Sequence, residues 1–206
     1  MALGSSRSRK NRSRYLRACT SRRIPVPKRG GGFRVAVQLD PLDSIIYVAL
    51  LYEAAQLIVR EDNRVAARLR TACSYRVQLD SNGSFFPPKS GWPDFHQKSE
   101  ELANSGEYSH VLVADIVDFY NQVYVHRVEN ALEAATVAGE RAKNIERFLL
   151  LLNAKQSRGL PVGPIFSILL AEAALNDVDT FLLREGAPHI RYVDDFRVFC
   201  RSRKEG

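Results

Sequence analysis

Two short apolar runs that each end at an aspartate constrain the fold of this chain most. Residues 110–114 read His-Val-Leu-Val-Ala and lead into Asp115, while residues 190–193 lead into an Asp-Asp pair. The first run is β-branched and apolar on both faces, which predicts a central strand buried between two layers. The second run and residues 196–200 predict two short strands joined by a tight turn. The sequence therefore predicts carboxylates at the ends of short, largely apolar strands.

Helical periodicity and turn residues divide the rest of the chain into short elements. A glycine-tipped hairpin is predicted from residues 24–26 and 33–37, and irregular loops from residues 80–93 and 155–164. The spacing of apolar residues predicts helices over residues 41–60, 63–69, 95–103, 127–138, 141–152 and 165–183. Helices mixed with a few short strands predict an α+β fold.

The composition of the 206 residues, 45% hydrophobic and 26% charged, is typical of a globular protein. Its longest apolar stretches, around residues 44–59 and 163–175, are interrupted by Glu53 and Glu172 and fall short of the roughly 18 uncharged residues of a membrane span. No apolar stretch follows the N-terminal charges, so a secretory signal is not expected. We therefore expect a cytoplasmic protein with no membrane partner.

Basic residues are concentrated at the N-terminus. Residues 1–29 contain ten Lys or Arg and no acid, so the rest of the chain has a net charge of −3, against +7 for the whole. Residues 1–23 lack hydrophobic periodicity and are predicted to form a disordered basic arm, with order beginning near Ile24. Such an arm either neutralises nucleic-acid phosphates or is a solvating tail, and composition favours neither.

Each of the polar segments also has an ordinary structural explanation. An N-cap for the following helix explains Asp115 on its own segment. A solvated turn explains Asp194 and Asp195, since adjacent carboxylates repel unless water or a divalent cation surrounds them. The Gly- and Pro-rich residues 157–164 form either an interhelical loop or backbone that approaches a substrate closely. The four histidines lack metal-ligand spacing such as H-x-x-x-H, so any metal is expected to be held by oxygen.

The order of these segments is more informative than any one of them. Asp-Ile-Val-Asp-Phe-Tyr spans residues 115–120, the Gly-Pro loop and the following helix start span residues 159–167, and Tyr-Val-Asp-Asp spans residues 192–195. In this order and at this spacing the chain resembles the reverse transcriptase family, with the three segments matching its motifs A, B and C. The resemblance covers about residue 24 to the end. Gly-Leu-Pro-Val-Gly-Pro in the second motif favours this family over viral RNA-dependent RNA polymerases.

Further residues resemble one part of the family. Asp-Phe-Tyr followed by Tyr124-Val125-His126, together with a motif B helix that runs to Glu172, is similar to bacterial abortive-infection, unknown-group and retron-related enzymes. Many of those serve in defence against phage. Val162 stands where retroviral and group II intron enzymes usually have Gln, so contacts there are expected to differ. No chemistry is assigned to Tyr124, and His126 is expected to be buried and hydrogen-bonded.

The resemblance implies the fingers and palm of a right-hand polymerase, with a ferredoxin-like split βαβ palm. Fingers are expected over residues 24–108 and the palm over residues 109–206, where the sequence stops soon after the Asp-Asp hairpin. Family members normally continue into further palm strands and a helical thumb, which are missing here. We therefore expect either a C-terminally truncated polymerase or an inactive remnant that binds nucleic acid.

The activity implied by the resemblance is RNA-directed DNA synthesis, the transfer of a nucleotide from a dNTP to a primer 3′-hydroxyl. Two Mg²⁺ ions, or Mn²⁺ in their place, are expected on Asp115, Asp194 and Asp195, with the carbonyl oxygen of Ile116 as a further ligand. Asp195 is expected to have a supporting place, because adjacent residues at a strand turn do not project identically. The expected partners are an RNA template, a DNA or RNA primer and a dNTP, and the oligomeric state is left open.

Residues expected to bind the nucleotide come from three segments. Lys28 and Arg34 flank the glycine turn and resemble fingers residues that hold a triphosphate, although a solvated hairpin explains them equally well. Tyr120 resembles the steric gate that excludes a 2′-hydroxyl, and otherwise is a core aromatic. Val162 and Gly163 complete the set by resemblance.

The template and primer are expected to contact a second group of residues. By resemblance these are Arg158, Gly159, Pro161, Ser167 and Tyr192. Ser167 is also a candidate for supporting the loop, and Asp118 for capping a helix. A third activity suggested by the abortive-infection relatives, untemplated DNA synthesis, is left open as an alternative to templated synthesis.

Overall fold

The fold is described from a computed structural model. It covers residues 21–28, 30–62, 71–75, 91–135, 137 and 139–204. Most of the predicted basic arm, the predicted helix over residues 63–69 and most of the predicted loop over residues 80–93 lie outside these ranges. The part of the chain that is described mixes helices with two small antiparallel sheets, so the expected α+β class is confirmed.

The first sheet is the predicted N-terminal hairpin. Strands β1 (Ser21–Pro27) and β2 (Phe33–Leu39) pair antiparallel, with Ser21 opposite Leu39 and Pro27 opposite Phe33. Strand β1 begins at Ser21, three residues before the start predicted near Ile24, because β2 is long enough to pair with residues 21–23. The glycines at 31 and 32 have φ values of 93° and 79°, so the turn uses a backbone conformation that other residues rarely adopt.

Six helices account for most of the remaining described residues. They are α1 (Pro41–Asp62), α2 (Trp92–Ala103), α3 (Phe119–Gln122), α4 (Val125–Ala134), α5 (Gly139–Leu152) and α6 (Ile165–Arg184). Helix α2 begins three residues before the prediction, since Pro93 is tolerated in a first helical turn. Helix α3 was not predicted because four residues are too few for a periodic pattern. Helix α4 ends at Ala134 rather than at residue 138.

The second sheet carries both predicted aspartate segments. Strands β3 (His110–Asp115), β4 (His189–Tyr192) and β5 (Asp195–Cys200) pair antiparallel in the order β3-β5-β4. The prediction of a buried central strand over residues 110–114 is wrong. Strand β3 is an edge strand exposed along its whole length, and Val113 is 71% exposed. Its only strand partner among the described residues is β5, which occupies the centre that was predicted for β3.

The main core lies among four helices and the end of the β4–β5 hairpin. Tyr47 of α1 stacks on Phe148 of α5 with ring centroids 5.4 Å apart. Val193 and Phe196 of the hairpin belong to the same buried cluster. A smaller cluster beneath α2 contains Cys73, Phe95, Ile190 and Phe199. The hairpin is therefore held between two apolar clusters, which positions the turn at its tip.

No helix in the described part of the chain is long and apolar enough to cross a bilayer.

Candidate active site

Three aspartates come together where β3 ends and β5 begins. Asp115 is the last residue of β3, Asp195 is the first of β5, and the two are directly opposite each other in the antiparallel ladder. Side chains of directly opposed residues project from the same face of a sheet. Asp194 precedes Asp195 in the tight turn from β4. The sheet register thus brings the carboxylates of motifs A and C to one end of the sheet.

The turn that carries Asp194 has an unusual backbone. Val193, the first of its two central residues, has a φ of 55°, a value that is strained for a β-branched residue. The peptide of Asp194 is tied to the end of β3, because the backbone nitrogen of Ile116 donates to the Asp194 carbonyl oxygen at 3.3 Å. Ile116 therefore adjoins the turn that carries Asp194, and its expected role as a metal ligand stays a prediction.

The electrostatics of the site reflect an excess of negative charge. The pKa of Asp194 is raised by partial burial and by the charges of Asp115 and Asp195, while Arg34 opposes the rise. The pKa of Asp195 is raised by partial burial and by Asp115, and Arg197 opposes it. Cations therefore offset only part of the repulsion at this end of the sheet. A divalent cation would relieve it, and carboxylate oxygens are ligands that Mg²⁺ prefers.

The carboxylates of the three aspartates fit a divalent cation in chemistry, but their oxygens do not all lie within 4.8 Å of one another. Within the described residues, three potential ligand atoms lie within 4.8 Å of one another only at His126, Glu129 and Glu146. His126 Nδ1 is 3.0 Å from Glu129 Oε2 and 3.9 Å from Glu146 Oε1. The histidines lack H-x-x-x-H spacing in the sequence, and the fold rather than that spacing brings His126 near two carboxylates.

The environment of His126 also corrects an expectation. Its side chain is 71% exposed, whereas a buried histidine was predicted. The expected hydrogen bond is present, from its ring to Glu129 one helical turn away. Position 126 lies on the outer face of the first turn of α4, so the helix start directs it to solvent. Tyr124, just before α4, is 54% exposed and its backbone forms an isolated bridge with Arg158.

Tyr120 lies between the aspartates and the core. Its ring packs against the main apolar cluster and lies 5.6 Å from the ring of Phe119. The pKa of its hydroxyl is raised by burial and by the charges of Glu172, Tyr75 and Asp194. The side chain is therefore both a packing aromatic and a near neighbour of the motif C turn, which is compatible with either of the roles considered for it.

The motif B loop is tied to the N-terminal hairpin. The nitrogen of Val37 in β2 donates to the carbonyl oxygen of Val162 at 2.7 Å. Gly163 has a φ of 121°, and a Cβ there would meet the Val37 oxygen at 3.4 Å, so a side chain is disfavoured on both counts. Arg34 lies three residues earlier on the same strand and acts on Asp194 electrostatically. The hairpin thus brings Arg34, Val162 and Gly163 to the aspartate end of the molecule.

The other loop residues that were predicted to contact template or primer lie partly at the surface and partly in the interior. Arg158 is exposed, and its Nη1 donates to Gln122 Oε1 at 3.2 Å. Gly159 is half-buried, its nitrogen donates to the Val123 carbonyl oxygen at 2.8 Å, and Pro161 is buried. Ser167 is fully buried, with its hydroxyl 3.1 Å from the hydroxyl of Tyr47. Of this group, Arg158 has the most accessible side chain, whereas Ser167 holds α6 against α1.

Three further candidates have contacts of their own away from the three aspartates. Lys28 is exposed in the hairpin turn, where its nitrogen donates to the Gly32 carbonyl oxygen at 3.1 Å. Tyr192 packs against Trp92 with ring centroids 5.2 Å apart, and burial and a hydrogen bond to Tyr75 raise its pKa to about 12. Asp118 occupies the N-cap position of α3 but makes no capping hydrogen bond there. It accepts instead from the Asn121 side chain at 2.7 Å.

A buried ionic network beneath the site was not predicted. Arg191 of β4 is fully buried, and its Nε and Nη2 donate to both carboxylate oxygens of Asp179 at 2.8–3.0 Å. Its Nη1 donates to Glu172 Oε2 at 2.8 Å, and Ser74 donates to the other oxygen of Glu172 at 2.7 Å. His189 Nε2 lies 3.2 Å from Asp179 Oδ1. The network joins α6, β4 and residues 71–75.

One sequence signal could have indicated this network. Glu172 and Asp179 are seven residues apart in a largely apolar helix, which places them on one helical face. Arg191 interrupts an apolar strand in the same way. Acids and a base that interrupt buried faces of nearby elements are candidates for a buried ion pair, because an unpaired buried charge is costly.

The comparisons with known proteins agree with this architecture. The family described as reverse transcriptase (RNA-dependent DNA polymerase) matches residues 26–206. The chain therefore belongs to the reverse transcriptase family. The fold of a telomerase from Candida albicans, solved with a TWJ fragment of telomeric RNA, is similar at a TM-score of 0.57 and 11% identity, over 94% of this chain. This chain spans 40% of the telomerase chain. No curated protein sequence matches.

These comparisons confirm the fold that was expected from the sequence. A small antiparallel sheet with helices packed against it, together with a separate β-hairpin, is the fingers-and-palm arrangement expected for the family.

Proposed function

We propose that the chain performs RNA-directed DNA synthesis at Asp115, Asp194 and Asp195. The observation that carries the proposal is the register of β3 and β5, which sets Asp115 opposite Asp195 with Asp194 in the adjoining turn. The acidic cluster at the joined ends of motifs A and C belongs to neither apolar cluster of the fold. The match to the family over residues 26–206 supports nucleotidyl transfer as its chemistry.

Within this proposal, the cation-holding residues divide into two ranks. Asp115 and Asp194 are the main ligands, and the Ile116 carbonyl oxygen is a third, on a residue whose nitrogen donates to the Asp194 carbonyl oxygen. Asp195 has a supporting place. Two Mg²⁺ ions at such a site, or Mn²⁺, activate a primer 3′-hydroxyl and stabilise charge on the departing pyrophosphate.

Binding of the incoming dNTP is assigned to residues around the same end of the sheet. Arg34 is the side chain whose charge already reaches Asp194, so it is placed to offset triphosphate charge. Lys28 in the hairpin turn is a second cation. Tyr120, between the core and the turn, excludes a 2′-hydroxyl. The backbone of Val162 and Gly163 lines the nucleotide-binding site.

Template and primer contacts are assigned to the motif B loop and its surroundings. Arg158 is exposed and hydrogen-bonded at the loop, where a phosphate can reach it. Gly159, Pro161 and Tyr192 shape the surface beside it, and Ser167 acts from beneath by holding α6. The similarity in fold to a telomerase solved with RNA supports an RNA template.

The broader setting is part of the same proposal. Fingers comprise residues 24–108 and the palm residues 109–206. Similarity of Tyr124, His126 and the motif B helix to bacterial abortive-infection and retron-related enzymes suggests a role in defence against phage. Untemplated synthesis is the alternative activity, and binding of nucleic acid without synthesis is the alternative to catalysis.

A primer-extension assay with Asp115→Asn tests this function. We expect wild-type protein to incorporate dNTP in Mg²⁺ on a primed RNA, and Asp115→Asn to lose incorporation by at least about 100-fold, as for removal of a group central to catalysis. Asp118→Asn is the matched control, because Asp118 undergoes the same chemical change nearby, while its carboxylate accepts a hydrogen bond from the Asn121 side chain.

The same assay separates the alternatives. Equal incorporation by wild type and Asp115→Asn contradicts the assignment of the site. Products whose sequence is independent of the RNA indicate untemplated synthesis. Salt-sensitive RNA binding with no incorporation by wild type indicates a binding module and overturns the proposal of catalysis.

A further inference from the structure

The strained turn of motif C is held by two hydrogen bonds from outside it. The Ile116 nitrogen donates to the Asp194 carbonyl oxygen at 3.3 Å, and Arg191 Nη1 donates to the Val193 carbonyl oxygen at 3.3 Å. Val193 has the positive φ in this turn. A β-branched residue keeps such a conformation only where its surroundings enforce it. Arg191 thus fixes the peptide that joins Val193 to Asp194.

The guanidinium of Arg191 is itself immobile. Its side chain has no exposed area, and it is held by Asp179 and Glu172, both from α6. The same Nη1 that donates to the turn also donates to Glu172 at 2.8 Å. Because one nitrogen donates to both acceptors, the position of Glu172 on α6 sets the position of the hydrogen bond to the Val193 carbonyl oxygen.

A core ion pair alone does not explain this arrangement. Buried ion pairs contribute little to stability compared with apolar residues of the same volume. The bidentate contact with Asp179 already satisfies the charge of Arg191, so the contact with the Val193 carbonyl adds geometry rather than charge neutralisation. Lysine, a point charge without a planar fork, cannot make both sets of contacts.

We propose that Arg191 is a positioning residue that sets Asp194 through the Val193 carbonyl and couples the motif B helix to the metal-binding turn. The proposal rests on the function proposed above. Arg191 contacts neither substrate nor metal, and it acts by holding the strained turn in the one conformation that aims Asp194 at the site. Loss of the contact lets the turn relax and weakens metal binding.

Metal binding without catalysis provides the main test. Binding of Mn²⁺ is measured from the loss of the paramagnetic resonance signal of free Mn²⁺, and the part of it that disappears in Asp194→Asn defines the site. All variants carry Glu146→Gln, which removes the His126 cluster as a competing site. We expect Arg191→Lys to bind Mn²⁺ at this site about 10- to 100-fold more weakly, the range for groups that orient metal ligands.

His189→Gln is the matched control. It disturbs the contact of His189 with Asp179 in the same buried network and leaves the Nη1 contacts of Arg191 intact. We expect it to lower the unfolding temperature without changing Mn²⁺ affinity. Equal Mn²⁺ affinity in wild type and Arg191→Lys, or an equal loss in His189→Gln, overturns the proposal in favour of a structural role.

A second variant keeps the test decisive if Arg191→Lys does not fold. Glu172→Gln leaves Arg191 its Asp179 contacts and removes the charge that holds Nη1, so the same weakening is expected from it. Val193→Gly relieves the strain of the turn, and we expect the effect of the Arg191 or Glu172 change to shrink in its background. An effect of undiminished size in Val193→Gly contradicts action through the strained turn.

Failure of the positioning role of Arg191 can be distinguished from failure of the proposed function. If wild type binds Mn²⁺ through Asp194 but incorporates no dNTP, the proposed function fails while the positioning role of Arg191 can still be read from Mn²⁺ affinity. If incorporation is normal and Arg191→Lys binds Mn²⁺ as wild type does, the positioning role fails alone.

Discussion

Two charged clusters lie along the β4–β5 hairpin, and they differ in whether each charge has a partner of opposite sign. Around Arg191, every charged group is buried and faces a partner of opposite charge. At the tip of the hairpin, Asp115 is exposed, Asp194 and Asp195 are half-exposed, and the repulsion among them is only partly offset.

The direction of the aspartate pKa values records this difference. Burial raises the pKa of Asp179, but hydrogen bonds from His189 and Arg191 outweigh burial and leave it below its ordinary value. Burial and like charges leave the pKa of Asp194 above its ordinary value. The ionised form of the aspartate side chain is thus stabilised at Asp179 and destabilised at Asp194. The first cluster holds α6 and β4 together, and the second is the one to which we assign a divalent cation.

The largest expected effect comes from breaking the balanced cluster. Arg191→Met leaves Glu172 and Asp179 buried without their cation, and we expect it to lower the free energy of unfolding by about 3–5 kcal/mol, as when one partner of a buried pair is removed. Urea denaturation followed by circular dichroism measures the change. Arg197→Met is the control, since Arg197 lies on the neighbouring strand over the Phe95 ring and is only half-buried. A loss below about 1 kcal/mol in Arg191→Met contradicts the buried network.

Tyr120 lies between the two clusters, since both Glu172 and Asp194 raise the pKa of its hydroxyl. If it excludes the 2′-hydroxyl, Tyr120→Ala should lower the preference for dNTP over rNTP by roughly 10- to 100-fold, the range for a steric pocket change. Competing single-nucleotide incorporation measures the preference. Phe119→Ala, which removes the neighbouring buried ring, controls for loss of packing. An unchanged preference leaves Tyr120 as a core aromatic only.

Arg34 acts on the aspartate cluster at the tip of the hairpin, where its positive charge opposes the rise in the pKa of Asp194. We expect Arg34→Ala to raise the KM for dNTP roughly tenfold, the worth of one charge-assisted hydrogen bond, with a smaller change in kcat. Arg22→Ala removes a cation from the paired strand and serves as the control. A fall in kcat with KM unchanged would place Arg34 outside the triphosphate contacts.

Much of the site could be predicted because the informative residues are close in sequence. Asp115 follows an apolar run, and Asp194 and Asp195 interrupt an apolar hairpin, so each segment indicates a strand end without tertiary information. The glycine turn between β1 and β2 and the long helices α1 and α6 were predictable for the same reason.

Features that depend on the neighbouring element could not be predicted. The apolar pattern of residues 110–114 suits a central strand, but only the β3-β5-β4 order shows that β5 lies in the centre. Arginine is rarely fully buried, so the burial of Arg191 follows only from its meeting with Asp179 and Glu172. His126 was expected inside and is outside, because the start of α4 sets which face it occupies.

The central claim is that the charge left unbalanced at the hairpin tip serves metal-dependent synthesis. Asp194→Asn tests it most directly when unfolding and dNTP incorporation are measured on the same preparation. Since its carboxylate is destabilised in the folded chain but screened by solvent, we predict unfolding free energy unchanged or raised by up to about 1 kcal/mol, together with loss of Mg²⁺-dependent incorporation. Retained incorporation, or a loss explained by a lower unfolding free energy, would contradict the account.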